Sequence, residues 1–158
     1  MLTEQDTDRT LAVLKIIWLA LLGSLAIYLV VGRFVAPDVA PSLSGEAFAI
    51  LRTALLVLGF VTLIAAKYVR RLILGAAGRA AGPDLNRQAS APQRYSSAVI
   101  ASLAMSESVG VYGLVLFLLG KNEMDLYLLV GIAAAAMFYF RPRKDELLNL
   151  ERGIGDGA

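Results

Sequence analysis

The amino-acid sequence predicts an all-α polytopic membrane protein with four transmembrane helices and both termini in the cytoplasm. Three observations predict it. First, 58% of the 158 residues are hydrophobic and the mean hydropathy is +0.66, too apolar for an ordinary soluble domain. Second, the apolar residues are gathered into the runs Leu11–Gly32, Ala47–Ala66, Tyr95–Gly120 and Leu126–Phe140. These approach or reach the roughly 20 residues that cross a ~30 Å hydrocarbon core. Third, the basic residues alternate in density from one connection to the next, as the positive-inside rule requires.

Taken in order, the helices are expected at about 11–32, 47–69, 94–120 and 124–140, in a single membrane domain spanning 1–158. The segment before helix one is acidic and unlike the start of a secretory signal. The small-residue points after Ala36 and Ala40 are each followed by proline, so the first span reads as an uncleaved anchor. An external turn follows over 36–45, and Ser44 is placed to cap helix two, with Glu46 in its first turn facing the helix dipole. Residues 70–93 form a cytoplasmic loop whose Gly and Pro content argues against a folded domain. Asn122 is placed to cap helix four, with Glu123 and Asp125 near its start. Helix four is the shortest span and relies on snorkelling flanks or a thinned bilayer. Pro142 ends it, and the cytoplasmic tail 141–158 carries a short surface helix before a frayed Gly-rich end.

Charge sets the orientation. Lys67, Arg70, Arg71, Arg79, Arg87 and Arg94 lie around the central loop, Arg141, Arg143, Lys144 and Arg152 follow helix four, and Arg9 and Lys15 lead helix one. The other two connections hold Arg33, Arg52 and Lys121. Both termini and the central loop are therefore assigned to the cytoplasm, as in a multi-pass protein of the plasma (bacterial inner) membrane. This topology needs an even number of spans and so supports the fourth. Arg52 is expected to snorkel from the outer end of helix two.

The residue that carries chemistry is Glu107, inside the third apolar run. An ionisable side chain at bilayer depth costs roughly 2.5–3.5 kcal/mol on insertion scales, so one that is kept there is paired, neutralised or used. It lies about 18 Å along the helix from Tyr95, near the midplane. Desolvation there disfavours the charged form, and a neutral carboxyl is expected. No Lys or Arg occurs at matching depth, which leaves Ser102, Ser106, Ser108 and Tyr112 of helix three, with Thr53 and Thr62 of helix two, as neutral partners. Beside Glu107, Ala98, Ser102, Ser106 and Gly110 recur every four residues, with Gly113 one turn on. Such a stripe lets helix backbones approach closely where lipid provides little hydrophobic drive. Helix three is expected to be the most enclosed span.

The spacing Glu107-x4-Tyr112-Gly113-Leu114-Val115 resembles the carboxylate helix of the rotor-ring proteolipid, the c subunit of rotary ATP synthases. There an outward-running helix carries a midplane Glu followed by Tyr-Gly-Leu-Val. Here Val111 fills the hydrophobic position before the tyrosine, Leu103-Ala104 precede the acid, and Arg87-Gln88-Ala89 stands where that family has Arg-Gln-Pro. The resemblance implies that Glu107 is the ion-carrying carboxylate for a proton or Na⁺. It implies that Tyr112 shapes the site and that the chain works in a homo-oligomer or larger membrane complex, while Ser106 and Ser108, as neutral partners on the same helix, complete the expected ion site with Glu107 and Tyr112.

A second reading makes the chain a non-catalytic accessory or scaffold protein in which Glu107 serves helix packing. An enzyme is not expected: there is no His or Cys, no paired carboxylates within a span and no phosphate-binding Gly loop. No cofactor or metal is implied. The basic residues follow membrane topology and form no nucleic-acid-binding fold, so the expected partner surface is the lipid bilayer.

Overall fold

A computed structural model describes residues 4–35, 45–75 and 91–148. These form four helices: α1 (Glu4–Val35), α2 (Gly45–Gly75), α3 (Ala91–Gly120) and α4 (Glu123–Tyr139). A further helical turn covers 144–148. Among the described residues there is no strand. Three helices, over Thr7–Phe34, Gly45–Gly75 and Pro92–Gly120, are long and apolar enough to cross a membrane. α4 has 17 residues, about 25 Å at the helical rise and short of a ~30 Å hydrocarbon core.

The helices overrun the apolar runs that announce them. Arg70 and Arg71, expected in the connecting loop, belong to α2, as Lys67 does, and Arg94 lies within α3. Hydropathy marks where hydrocarbon contact ends, whereas Arg, Lys and Leu all propagate a helix beyond that point. The external turn, the Ser44 cap, Arg79, Arg87-Gln88-Ala89 and the Gly-rich end, which figure in the sequence reading, lie outside the described residues.

α3 is the organising element and packs against each of the other three helices. Of its most apolar stretch, 39% is buried, against 11% for α1 and 6% for α2. The reason is its row of small side chains. Ala98, Ser102 and Ser106 are fully buried, and a Cβ on Gly113 would lie 2.9 Å from Leu129 Cβ of α4. α1 answers with a stripe at alternating spacings of three and four. Leu11, Leu14 and Leu25 are buried, and Trp18, Leu21 and Tyr28 pack partly covered between them. That is the coiled-coil seam pattern.

Helix ends are closed by side chains. The two-residue link Lys121-Asn122 keeps α3 and α4 antiparallel neighbours, with Lys121 in the left-handed region at φ 57°. Asn122 caps α4 by accepting from Met124 N–H at 3.1 Å. At the other end, Trp18 Nε1–H of α1 donates to Met137 O at 3.0 Å, and Arg70 of α2 donates to Phe140 O at 3.3 Å. Both satisfy carbonyls that α4 leaves unpaired in its last turn.

Candidate functional site

Ser106 is the middle residue of the 29-residue stretch Pro92–Gly120, so Glu107 stands at the centre of α3. It faces α1. Ser24 Oγ lies 2.5 Å from Glu107 Oε1, and Tyr28 O–H donates to the same oxygen at 3.0 Å. Ser24 and Tyr28 are four residues apart and therefore share one face of α1. They meet Glu107 because Gly110, one turn along α3, lets α1 come close: a Cβ there would collide with Leu25 and sit 3.6 Å from the Tyr28 ring. Glu107 itself is half-buried. The neighbouring α3 residues Ile100, Ala104 and Val111 are exposed, so the carboxyl sits at the edge of the α1–α3 seam.

Counting protons shows what this arrangement permits. Ser24 Oγ also lies 2.7 Å from Leu21 O, yet a hydroxyl has one proton to donate. With Glu107 ionised, Ser24 and Tyr28 both donate to Oε1. With Glu107 neutral, its own proton goes to Ser24 Oγ, the Ser24 proton turns to Leu21 O, and Tyr28 still donates. In either protonation state Oε1 keeps two hydrogen bonds with the heavy atoms in one arrangement. The two hydrogen-bond sets at Oε1 differ only in where the protons lie, not in how the helices pack.

The hydroxyls named from the sequence go elsewhere. Ser102 donates back to Ala98 O or Val99 O at 2.9 Å, Ser106 to Ser102 O at 2.8 Å and Ser108 to Ala104 O at 3.1 Å. Thr53 and Thr62 bond within α2, to Ala49 O and Leu58 O. Tyr112 lies on the opposite flank of α3, 3.8 Å from where a Cβ on Gly59 would sit. The tyrosine that meets the carboxyl is Tyr28. The sequence did hold a signal for it: Ser24 and Tyr28 are a polar pair at helical spacing within the first apolar run, with Tyr28 on the α1 stripe that packs inward.

Removing both donors tests the contact. Ser24→Ala with Tyr28→Phe is expected to lower stability in mixed detergent micelles by about 1–2 kcal/mol, the range of interhelical hydrogen bonds in membranes. Each single change should cost less than half as much as the pair, because Oε1 keeps one donor until both are gone. Strict additivity, read from dodecyl-sulfate unfolding curves, would show that the two hydroxyls do not share Glu107.

A second charged group lies near the far end of the bundle, where Arg52 meets Asp125 instead of snorkelling alone. Arg52 Nε and Nη2 donate to Asp125 Oδ1 at 3.0 and 2.8 Å, and Asn122 Nδ2 donates to Oδ2 at 3.2 Å. Asp125 is 1% exposed and Arg52 45%. The carboxylate is therefore satisfied on both oxygens by α2 and by the residue that caps its own helix. This group ties α2 to α4.

No group of His, Cys, Asp or Glu suited to a metal ion occurs among the described residues. Comparison with family models, with curated proteins and with solved structures finds no match to this chain.

Proposed function

We propose that the chain is a small integral membrane protein, not an enzyme, in which Glu107 reversibly binds a proton or Na⁺ at mid-bilayer. The observation that carries this reading is the convergence of the Ser24 and Tyr28 hydroxyls on Glu107 Oε1, at 2.5 and 3.0 Å. Oε1 of this carboxyl can keep both partners in either protonation state. The proteolipid-like run Val111-Tyr112-Gly113-Leu114-Val115 supports the same reading, as does the partial exposure of Glu107 beside an apolar face that a further copy or a larger complex would cover. The hydrogen-bonding scheme favours a proton over Na⁺.

In this reading α4 is the fourth span. It runs antiparallel beside α3, from Leu126 near Gly113 to Phe140 near Ser102. The tail continues to Arg143, whose backbone Tyr95 holds. Arg9, Lys15, Lys67, Arg70, Arg71, Arg94, Arg141, Arg143 and Lys144 then gather at one end of the bundle, and Arg33, Arg52 and Lys121 at the other. That asymmetry supports a plasma (bacterial inner) membrane orientation with both termini cytoplasmic.

The test is chemical. A membrane-soluble carbodiimide adds to a protonated carboxyl, so Glu107 should be labelled in lipid vesicles at mildly acidic to neutral pH, as read by peptide mass spectrometry. Glu107→Gln should abolish that adduct, and protection by added NaCl would identify Na⁺ as the ion. Absence of labelling at any pH between 5 and 8 would discard the reading. It would leave Glu107 as a packing group in a scaffold protein.

A further inference from the structure

We infer that the basic end of the bundle holds a binding cleft for the phosphate of an anionic phospholipid, between α2 and the segment that follows α4. The cleft has a volume of about 460 Å³ and is walled by Lys67, Arg71, Arg141 and Arg143, with Tyr139 and Leu74 on its apolar side. Its construction does not involve Glu107, so the two assignments stand or fall separately. It rests on the membrane placement of the helices.

What distinguishes this cleft from a scatter of surface cations is that its far wall is fixed. Tyr95 O–H donates to Arg143 O at 3.0 Å, and Arg143 N–H donates to the Tyr95 oxygen at 2.8 Å. Arg70, with its side chain only 11% exposed, donates to Ser102 Oγ, to Phe140 O and to Glu146 Oε2, and its guanidinium lies 5.6 Å from the Phe140 ring centre. Leu147 is fully buried. The chain after α4 is thus held to α2 and α3 by one tyrosine, one arginine and a buried leucine. Because Arg70 and Glu146 neutralise each other, they contribute position rather than charge.

The remaining charges are unbalanced. Lys67, Arg71, Arg141 and Arg143 are all exposed, and among the described residues none of them forms an ion pair. The carboxylate left on the cleft wall is Asp145. Three guanidinium groups offer planar pairs of N–H donors, which match phosphate oxygens two at a time, and they are weakly hydrated. Tyr139 is 64% exposed and its ring packs edge-on against Phe140 at 5.1 Å. An amphipathic ring at the membrane end of a cationic cleft suits the glycerol and upper acyl region of a lipid. A free phosphate would use the guanidinium groups but not this apolar lip, so the observations favour the lipid.

The experiment uses the full chain in dodecyl maltoside. Dioleoyl phosphatidylglycerol should be retained in native mass spectra and should raise the melting temperature, whereas dioleoyl phosphatidylcholine should do neither. Arg71→Gln with Arg141→Gln, both exposed positions, should weaken phosphatidylglycerol binding at least tenfold, in line with the effect of removing two cations at a membrane surface. Arg9→Gln with Lys15→Gln removes the same charge from the same end of the molecule and should weaken it less than threefold. Equal loss in the two double variants, or equal retention of phosphatidylcholine, would overturn the proposal. Stabilisation by inorganic phosphate equal to that by the lipid would overturn the lipid assignment.

Discussion

Arg52→Ala is expected to destabilise the bundle by about 2–3 kcal/mol, the larger effect of the two charge deletions at this pair. Asp125 is 1% exposed, and without Arg52 its Oδ1 loses both donors. Breaking a fully buried pair by removing one partner costs about 3–5 kcal/mol. The lower figure follows because Arg52 is nearly half exposed and solvent screens the interaction. Asp125→Asn should cost less, about 1 kcal/mol, because the arginine left behind can turn its charge outward along its flexible stem. Combining Arg52→Ala with Asp125→Asn should recover part of the loss, since no buried charge then remains unpaired. Thermal unfolding of the three variants in one detergent checks the order. An Asp125→Asn variant less stable than Arg52→Ala would mean that the pair is held chiefly by the helix cap around Asn122.

Gly113→Ala is expected to destabilise the α3–α4 contact by about 2–3 kcal/mol, at the upper end of the usual overpacking range. The added Cβ would stand 2.9 Å from Leu129 Cβ and 3.4 Å from Leu126 O. Neither neighbour can rotate away, because one is a first side-chain atom and the other is backbone. α3 and α4 would have to separate over the length of their contact. Gly110→Ala offers the comparison. There the close neighbour is the Cδ2 tip of Leu25, which a rotamer change can move, so a loss of about 1 kcal/mol is expected. Melting temperatures of the two variants, with wild type as reference, measure the difference directly. Equal losses would show that the α3–α4 contact yields more readily than its geometry indicates.

Much of the architecture was legible in the order of residues, and particular residues show why the rest was not. Hydropathy located the long apolar helices because burial in hydrocarbon is a property of whole segments. It ended the second helix too early, before Arg70 and Arg71, where helix propensity continues after hydropathy has stopped. Asn122 was readable as a cap because its effect is confined to one turn. Asp125 was placed only as an acidic residue near the start of a helix. Its burial and its pairing with Arg52 depend on a contact across 73 positions of chain, which no local pattern records. Glu107 was conspicuous for its charge, but the hydroxyls that meet it lie 79 and 83 positions away.

The sequence by itself determined the all-helical class, the apolar stretches and the place of Glu107 inside the third apolar run. Each of these depends on composition summed along one segment. The tertiary structure alone decided that Ser24 and Tyr28, rather than the nearer Ser106, Ser108 or Tyr112, hold the carboxyl. That choice depends on how α1 is rotated and how closely it approaches α3. Both are set by Gly110 and the three-and-four stripe of α1, while the hydroxyls of α3 find acceptors one turn back on their own helix. A serine in mid-helix always has such a carbonyl within reach. A carboxyl on the same helix finds no donor among its neighbouring backbone groups, because every mid-helix N–H is already bonded. Glu107 therefore had to look to another helix, and packing chose which.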